Sequence, residues 1–225
     1  MENYRIFDSE LGKLTHKVIE MCTQVNQQLV DVVTALQSSD LHLAKKVVNN
    51  DEFINNLDVK IDKLCQKIFA LQQPVASDLR YIISALKINN DLERIGDHAV
   101  NIAKRIEPLI DYKQMVEELG IGPIGYKTTD LFADVVELVK THDLHFAEVV
   151  TSKAHEIKDE CEKIAARILG EMMHQSEVVV VAANILIIIN LFERISSYST
   201  NIAESITFVV AGEIVKPKLE NAKAF

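Results

Sequence analysis

Residues 91–106 read DLERIGDHAVNIAKRI and residues 191–206 read LFERISSYSTNIAESI, identical at seven of sixteen positions at an offset of 100. In the first, Leu92, Ile95, Ala99, Ile102 and Ile106 recur at steps of three and four; in the second, Phe192, Ile195, Ser199, Ile202 and Ile206 do the same. That spacing lines up one face of an α-helix, and its recurrence makes the chain an internal duplication. A further echo, DLHLA at 40–44 and DLHFA at 143–147, has an offset of 103. Three residues are therefore gained or lost between the two echoes.

Working outward, each half carries three helical patterns. Leu11, Leu14, Val18, Cys22, Val25 and Leu29 predict a first helix. Asp40 suits the N-cap of a second, which carries Ile54, Leu57, Ile61, Leu64, Ile68 and Leu71, and Pro74 marks the turn into the third. In the second half a shorter first helix is expected over about Thr128 to Thr141, followed by one bearing Val150, Ala154, Ile157, Cys161, Ile164 and Ile168. Five of the eleven Gly and Pro residues lie between Pro108 and Gly125, and that stretch reads as a linker. Steps of three and four are the seam spacing of nearly antiparallel helices. The expected fold is all-α: a tandem repeat of two antiparallel three-helix bundles, residues 1–113 and 114–225, with a short polar tail around Lys216 and Pro217.

The 225 residues are 48% hydrophobic, enough to build such cores. A net charge of −9, without any run of Lys or Arg, disfavours nucleic acid as a partner. Cys22, Cys65 and Cys161 are widely spaced, form no C-x-x-C and sit on apolar stripes, as reduced thiols of a cytoplasmic protein would. The opening MENYRIFDSE places acids where an export signal would place bases. Val178 to Phe192 is nearly all apolar, yet it is shorter than the roughly 20 residues of a spanning helix and is interrupted by Asn184 and Asn190. It reads as a buried helix, with no direct membrane insertion.

The chemistry-bearing residues are carboxylates. Asp58 and Asp62 share one face of the second helix, and Glu93 and Asp97 share one face of the third. Pairing Asp58 with Asp97 and Asp62 with Glu93 centres the intervening turn about three residues beyond Pro74, within the slack of a short loop. Four carboxylates brought so close would raise one another's pKa unless a cation lay between them, and an all-oxygen set suits Mg, Ca, Mn or Fe. Asn90 and Asn101 are candidate outer-shell donors or neutral ligands. The competing reading is an ordinary solvated acidic face. At the offset of 100, Lys158, Glu162, Glu193 and Ser197 replace the four, so Glu162 and Glu193 form at most a degenerate second site. Glu171 and His174 make a single E-x-x-H, and His142 and His145 flank a helix start, where capping is the simpler role. No phosphate loop, nucleophile elbow or Cys/His arrangement is visible, and no enzyme is expected.

With LERIGDHAVNIAKRI in one half, FERISSYSTNIAESI in the other and QQPVASDLRYIISALKI at residues 72–88, the chain resembles the PhoU family of phosphate-uptake regulators over about residues 8–212. The resemblance implies two three-helix bundles and metal clusters held by paired E(D)-x-x-x-D motifs, which here are Asp58 with Asp62 and Glu93 with Asp97. It implies iron, zinc or another divalent ion as cofactor. As partners it implies a phosphate ABC transporter ATPase and a membrane sensor histidine kinase. A cytoplasmic negative regulator of phosphate uptake and of the phosphate-starvation response is thus the expected function, with a homodimer left open. The alternatives are a carboxylate-metal hydrolase or redox enzyme on a bundle scaffold, and a metal-free helical docking scaffold.

Overall fold

The computed structural model of the chain describes residues 2–72, 74, 76–174 and 176–212. Seven α-helices follow in order: α1 (Glu2–Ser38), α2 (Leu41–Gln72), α3 (Ala76–Ala103), α4 (Lys113–Glu118), α5 (Ile121–Thr141), α6 (Leu144–His174) and α7 (Val179–Ala211). A 3₁₀ segment, Glu107–Tyr112, follows α3, and a second, Ser176–Val178, leads into α7. The described residues form no strand. The polar tail around Lys216 and Pro217 lies outside the described residues.

Helices α1, α2 and α3 pack on one another as the first bundle, and α5, α6 and α7 as the second. The apolar stripes turn inward: Leu14, Val25, Leu29, Ile61, Leu92 and Ile95 are all fully buried, as are Phe132, Phe192 and Ile195. Leu71, at the end of α2, is instead exposed. The bundles join side by side, α1 along α5 and α3 along α7, so the buried residues form one continuous cluster. The expected boundary between residues 113 and 114 falls at the first residue of α4.

The two repeats turn their first corner in the same way. Ser39 (φ 57°) and His142 (φ 56°) are left-handed, and each is followed by an aspartate that caps the next helix. Asp40 Oδ1 accepts from the backbone N–H groups of His42 (2.9 Å) and Leu43 (3.0 Å), and Asp143 Oδ1 accepts from that of His145 (3.0 Å). These bonds satisfy amides that have no partner within the helix.

The stretch Pro108–Gly125 is not all linker. It holds the 3₁₀ segment and α4, and α5 begins at Ile121, several residues before the expected start near Thr128. Pro123 falls within the first turn of α5, where its missing N–H breaks no hydrogen bond. Gly125 is there for contact rather than for a turn: a Cβ on it would lie 3.0 Å from Val33 Cγ1 and 3.2 Å from Phe192 Cζ. The glycine that signals a loop in sequence thus lets α5 pack closely on α1.

The seam between the bundles is partly polar. Asp91 of α3 is only 8% exposed there, and burial pushes its carboxyl up to about 6 against the opposing hydrogen bond from Asn201 of α7. The His98 and Tyr198 rings, equivalent residues of the two repeats, meet at 5.6 Å. Helix α7 is long and apolar enough to cross a membrane by composition alone, but half of its most apolar window is buried in the protein. Its apolarity is explained by packing, since α7 touches α3, α5 and α6.

Candidate functional site

The α2–α3 hairpin sets the level of every acidic residue along it. Its helices end at Gln72 and start at Ala76, which centres the turn on Pro74 rather than three residues beyond it. The expected pairing therefore slips. Asp58 faces Asn89 and Glu93 rather than Asp97, and Asp62 lies beside Asn89 rather than Glu93. Asp97, one turn further along α3, is exposed, while Asp58, Asp62 and Glu93 are half-buried at the edge between core and solvent.

Asn89 is the residue that sequence reasoning missed. It is 1% exposed, and its Nδ2 donates to Asp58 Oδ1 at 2.6 Å, to the Asp58 main-chain oxygen at 3.2 Å and, at 3.4 Å, to Asp62 Oδ1. Asn90, named from the sequence, is instead exposed. The signal was available: Asn89, Glu93 and Asp97 are four apart and share a face, whereas Asn90 is turned about 100° from Asn89. Asn101 continues that face, but its amide donates to the Asp97 main-chain oxygen at 3.0 Å, not to a carboxylate.

Burial raises the Asp58 carboxyl above its ordinary value and the neighbouring Asp62 adds to the rise, while the Asn89 hydrogen bond opposes it. Glu93 is raised for the same reason, first by burial and then by Asp97 and Asp58, with Arg94 opposing. The site thus holds crowded negative charge in a partly desolvated edge. Among the described residues no three His, Cys, Asp or Glu side chains converge closely enough to hold one ion as they stand. The carboxylates are oxygen donors of the type hard cations take and are partly open to solvent, while Asn89 presents its N–H group to them and its unpartnered Oδ1 lies on the other side of the amide.

The second bundle does not rebuild this arrangement. Helices α2 and α6 are both uninterrupted from their matching aspartate caps, whereas α3 begins 17 residues before Glu93 and α7 only 14 before Glu193, so the three-residue difference falls at the start of the third helix of each repeat. Along these helices the matching offset is therefore 103, and only on α3 and α7 is it 100. Asp58 then corresponds to Cys161 and Asp62 to Ala165, rather than to Lys158 and Glu162; Asn89 corresponds to Ile189 and Asp97 to Ser197. Glu193 alone keeps its type. Glu162 is exposed and Glu193 half-buried. Both lie near Cys161, whose thiol burial pushes up to about 12 with help from Glu193, Glu160 and Glu162.

The remaining candidates resolve into structural roles or lie outside the described residues. His142 ends α5 in the left-handed conformation and His145 receives the Asp143 cap, so HDLH is a helix corner. The His174 side chain lies outside the described residues, and with it the single E-x-x-H.

The PhoU domain family model matches residues 18–106 and 123–206, once on each bundle. A protein of Caulobacter vibrioides described as a phosphate-specific transport system accessory protein PhoU homolog is 34% identical over 218 residues, 95% of each chain. The crystal structure of PhoU from Pseudomonas aeruginosa superposes with a TM-score of 0.85 at 30% identity, covering 92% of this chain and 100% of that one. That of the phosphate transport system regulatory protein PhoU from Streptococcus pneumoniae also gives 0.85 at 30% identity, covering 93% and 99%.

Proposed function

Since the chain belongs to the PhoU family, we propose that it is an accessory protein of a phosphate-specific transport system that lowers phosphate uptake and the phosphate-starvation response when phosphate is plentiful. The observation that carries this reading is the family match on both bundles, over residues 18–106 and 123–206, together with relatives described as transport accessory and regulatory proteins. In this reading the chain works in the cytoplasm, where it meets the transporter's ATPase and a membrane sensor histidine kinase. It acts by binding, and no residue is assigned a catalytic role.

The same reading gives the α2–α3 edge a divalent cation or iron, held by Asp58, Asp62, Glu93 and Asp97. Such an ion would supply positive charge along this crowded acidic edge, relieving the repulsion among its carboxylates and tying α2 to α3. The raised carboxyl groups of Asp58 and Glu93, crowded on one partly buried edge, support it. A metal-free docking edge is the second reading, favoured by the Asn89 amide, which already bridges Asp58 and Asp62 with its own N–H.

Two measurements test the proposal. Cells lacking the chain should keep phosphate uptake and a starvation reporter high in phosphate-rich medium, and the chain should co-purify with the transporter ATPase. Unchanged uptake together with an absent ATPase would overturn it.

A further inference from the structure

Helices α1 and α5 run without a break into the equivalent corners at Ser39 and His142, so the offset of 103 that aligns α2 with α6 holds for them too. At that offset one groove can be compared in its two copies. In the second bundle Lys153 of α6 reaches across to α5 and donates to Asp130 Oδ2 at 2.5 Å and to Asp134 Oδ2 at 2.6 Å, so the groove between these helices is closed by an ammonium of its own. In the first bundle the counterpart of Lys153 is Asn50, a shorter and uncharged side chain, and the counterparts of Asp130 and Asp134 are Gln27 and Asp31. Here the groove holds a 210 Å³ cavity, lined by Gln24, Gln27, Gln28 and Asp31 from α1 and by Asn50 and Phe53 from α2.

The lining suits one kind of guest. Asp31 supplies a buried carboxylate, the amides of Gln24, Gln27 and Asn50 supply carbonyl oxygens, and Phe53 is an exposed aromatic ring beside them. A carboxylate, amide oxygens and a ring face are what an ammonium group takes, the last through cation–π attraction. Asp31 is held from the rim in the meantime: Lys46 Nζ, on a side chain 52% exposed, lies 2.9 Å from Asp31 Oδ2, and Gln27 Nε2 donates to Asp31 Oδ1 at 2.8 Å. We infer that the α1–α2 cavity receives a lysine side chain of a partner protein, whose ammonium takes the place beside Asp31 that Lys153 takes beside Asp134 in the second bundle. Lys46 competes with this guest for Asp31. The duplicated fold thus fills the groove from within in one copy and takes its lysine from outside in the other.

The probe is the peptide acetyl-Gly-Lys-Gly-amide, titrated into the full-length chain at low salt while the side-chain amide signals of Gln24, Gln27 and Asn50 are followed by NMR. The same peptide with norleucine for lysine carries the aliphatic stem without the charge. The lysine peptide should move those signals saturably and the norleucine peptide should leave them in place. Asn50→Lys should abolish the response, because the new lysine fills the cavity as Lys153 fills its own groove. Lys46→Met should strengthen binding about threefold or more, because it frees Asp31 from a partly exposed ion pair. Equal shifts with norleucine, or none with either peptide, overturn the assignment, as does binding to Asn50→Lys that matches the wild type. Weaker binding to Lys46→Met overturns it too, since Lys46 would then be part of the site and not its competitor. Putrescine, a free diamine, is the last arm: binding more than tenfold tighter than the lysine peptide would make the guest a small amine and overturn the partner's lysine as its source. Should Asn50→Lys fail to fold, the norleucine control and Lys46→Met still decide.

Discussion

Asp40 and Asp143 hold the same position in the two repeats, each following a left-handed residue and each accepting a backbone N–H from the first turn of the next helix, at 2.9 Å and 3.0 Å. The two caps define where α2 and α6 begin and so fix how the repeats align. Asp40→Ala and Asp143→Ala should each cost about 1 kcal/mol, the usual value of an N-cap. They lie in separate corners and share no partner, so the double variant should lose about 2 kcal/mol. Urea denaturation of the three variants checks this, and a marked departure from additivity would mean that the corners are coupled.

The alignment bears on where metal can sit. If α2 and α6 match at 103, Glu162 has no counterpart in the first carboxylate centre. Asp58→Asn should then lower the metal content of protein purified without a chelator or tag, and Glu162→Gln should leave it unchanged. Asp97→Asn should have a smaller effect than Asp58→Asn, since Asp97 is exposed and about two helical turns from Asn89, the residue that Asp58 faces. Elemental analysis decides. Equal losses from Asp58→Asn and Glu162→Gln would restore a two-centre picture.

Two glycines with the same sequence appearance should respond in opposite directions. Gly12 lies within α1, and a methyl group added there would meet nothing within 4 Å, whereas one added at Gly125 would face Val33 at 3.0 Å and Phe192 at 3.2 Å. Gly12→Ala should stabilise by about 0.5–1 kcal/mol through helix propensity. Gly125→Val should destabilise by about 2 kcal/mol or more, because both of its neighbours are buried core side chains. Thermal melts of the two variants give the signs, and a Gly125→Val that melts like the wild type would refute the close-contact role.

What was legible in the sequence followed from periodicity. The apolar steps of Leu92 to Ile106 and their echo a hundred residues on mark the duplicated helices, and Asp40 marks a cap, because both signals are local. The acidic residues of the centre were legible as dyads for the same reason. Their partners were not. Choosing Asn90 over Asn89 is an error of a single helical position, yet it turns a side chain from the core to solvent. The hairpin register depended on where α3 starts, and moving the turn centre back by about three residues shifts the residue level with Asp58 by about seven, which leaves Asp97 about two helical turns beyond it. Gly125 read as a loop because its reason for being Gly lies on α1 and α7, far along the chain from it. The mapping of the second repeat failed on a three-residue difference whose place only continuous helices could reveal.

Glu10 gives the fold a pH-dependent tie that can be measured without metal or partner. Its Oε1 accepts from Lys13 Nζ at 2.8 Å within α1, and its Oε2 from Lys67 Nζ at 2.9 Å on α2, while its own side chain is 8% exposed. The hydrogen bonds to Lys13 and Lys67 hold the carboxyl below its ordinary value of 4.5 and outweigh its burial. A carboxyl depressed in the folded state contributes stability above its unfolded value, and that contribution is lost as pH falls through the folded value. Glu10→Gln should therefore cost about 1 kcal/mol near neutral pH, as partly exposed ion pairs do, and progressively less at acid pH below 4.5. Lys67→Met should show the same pH trend, since it removes the half of the tie that links α1 to α2. Urea denaturation at neutral and at acid pH provides the measurement, and a Glu10→Gln deficit as large in acid as at neutrality would assign the residue's effect to packing instead of charge.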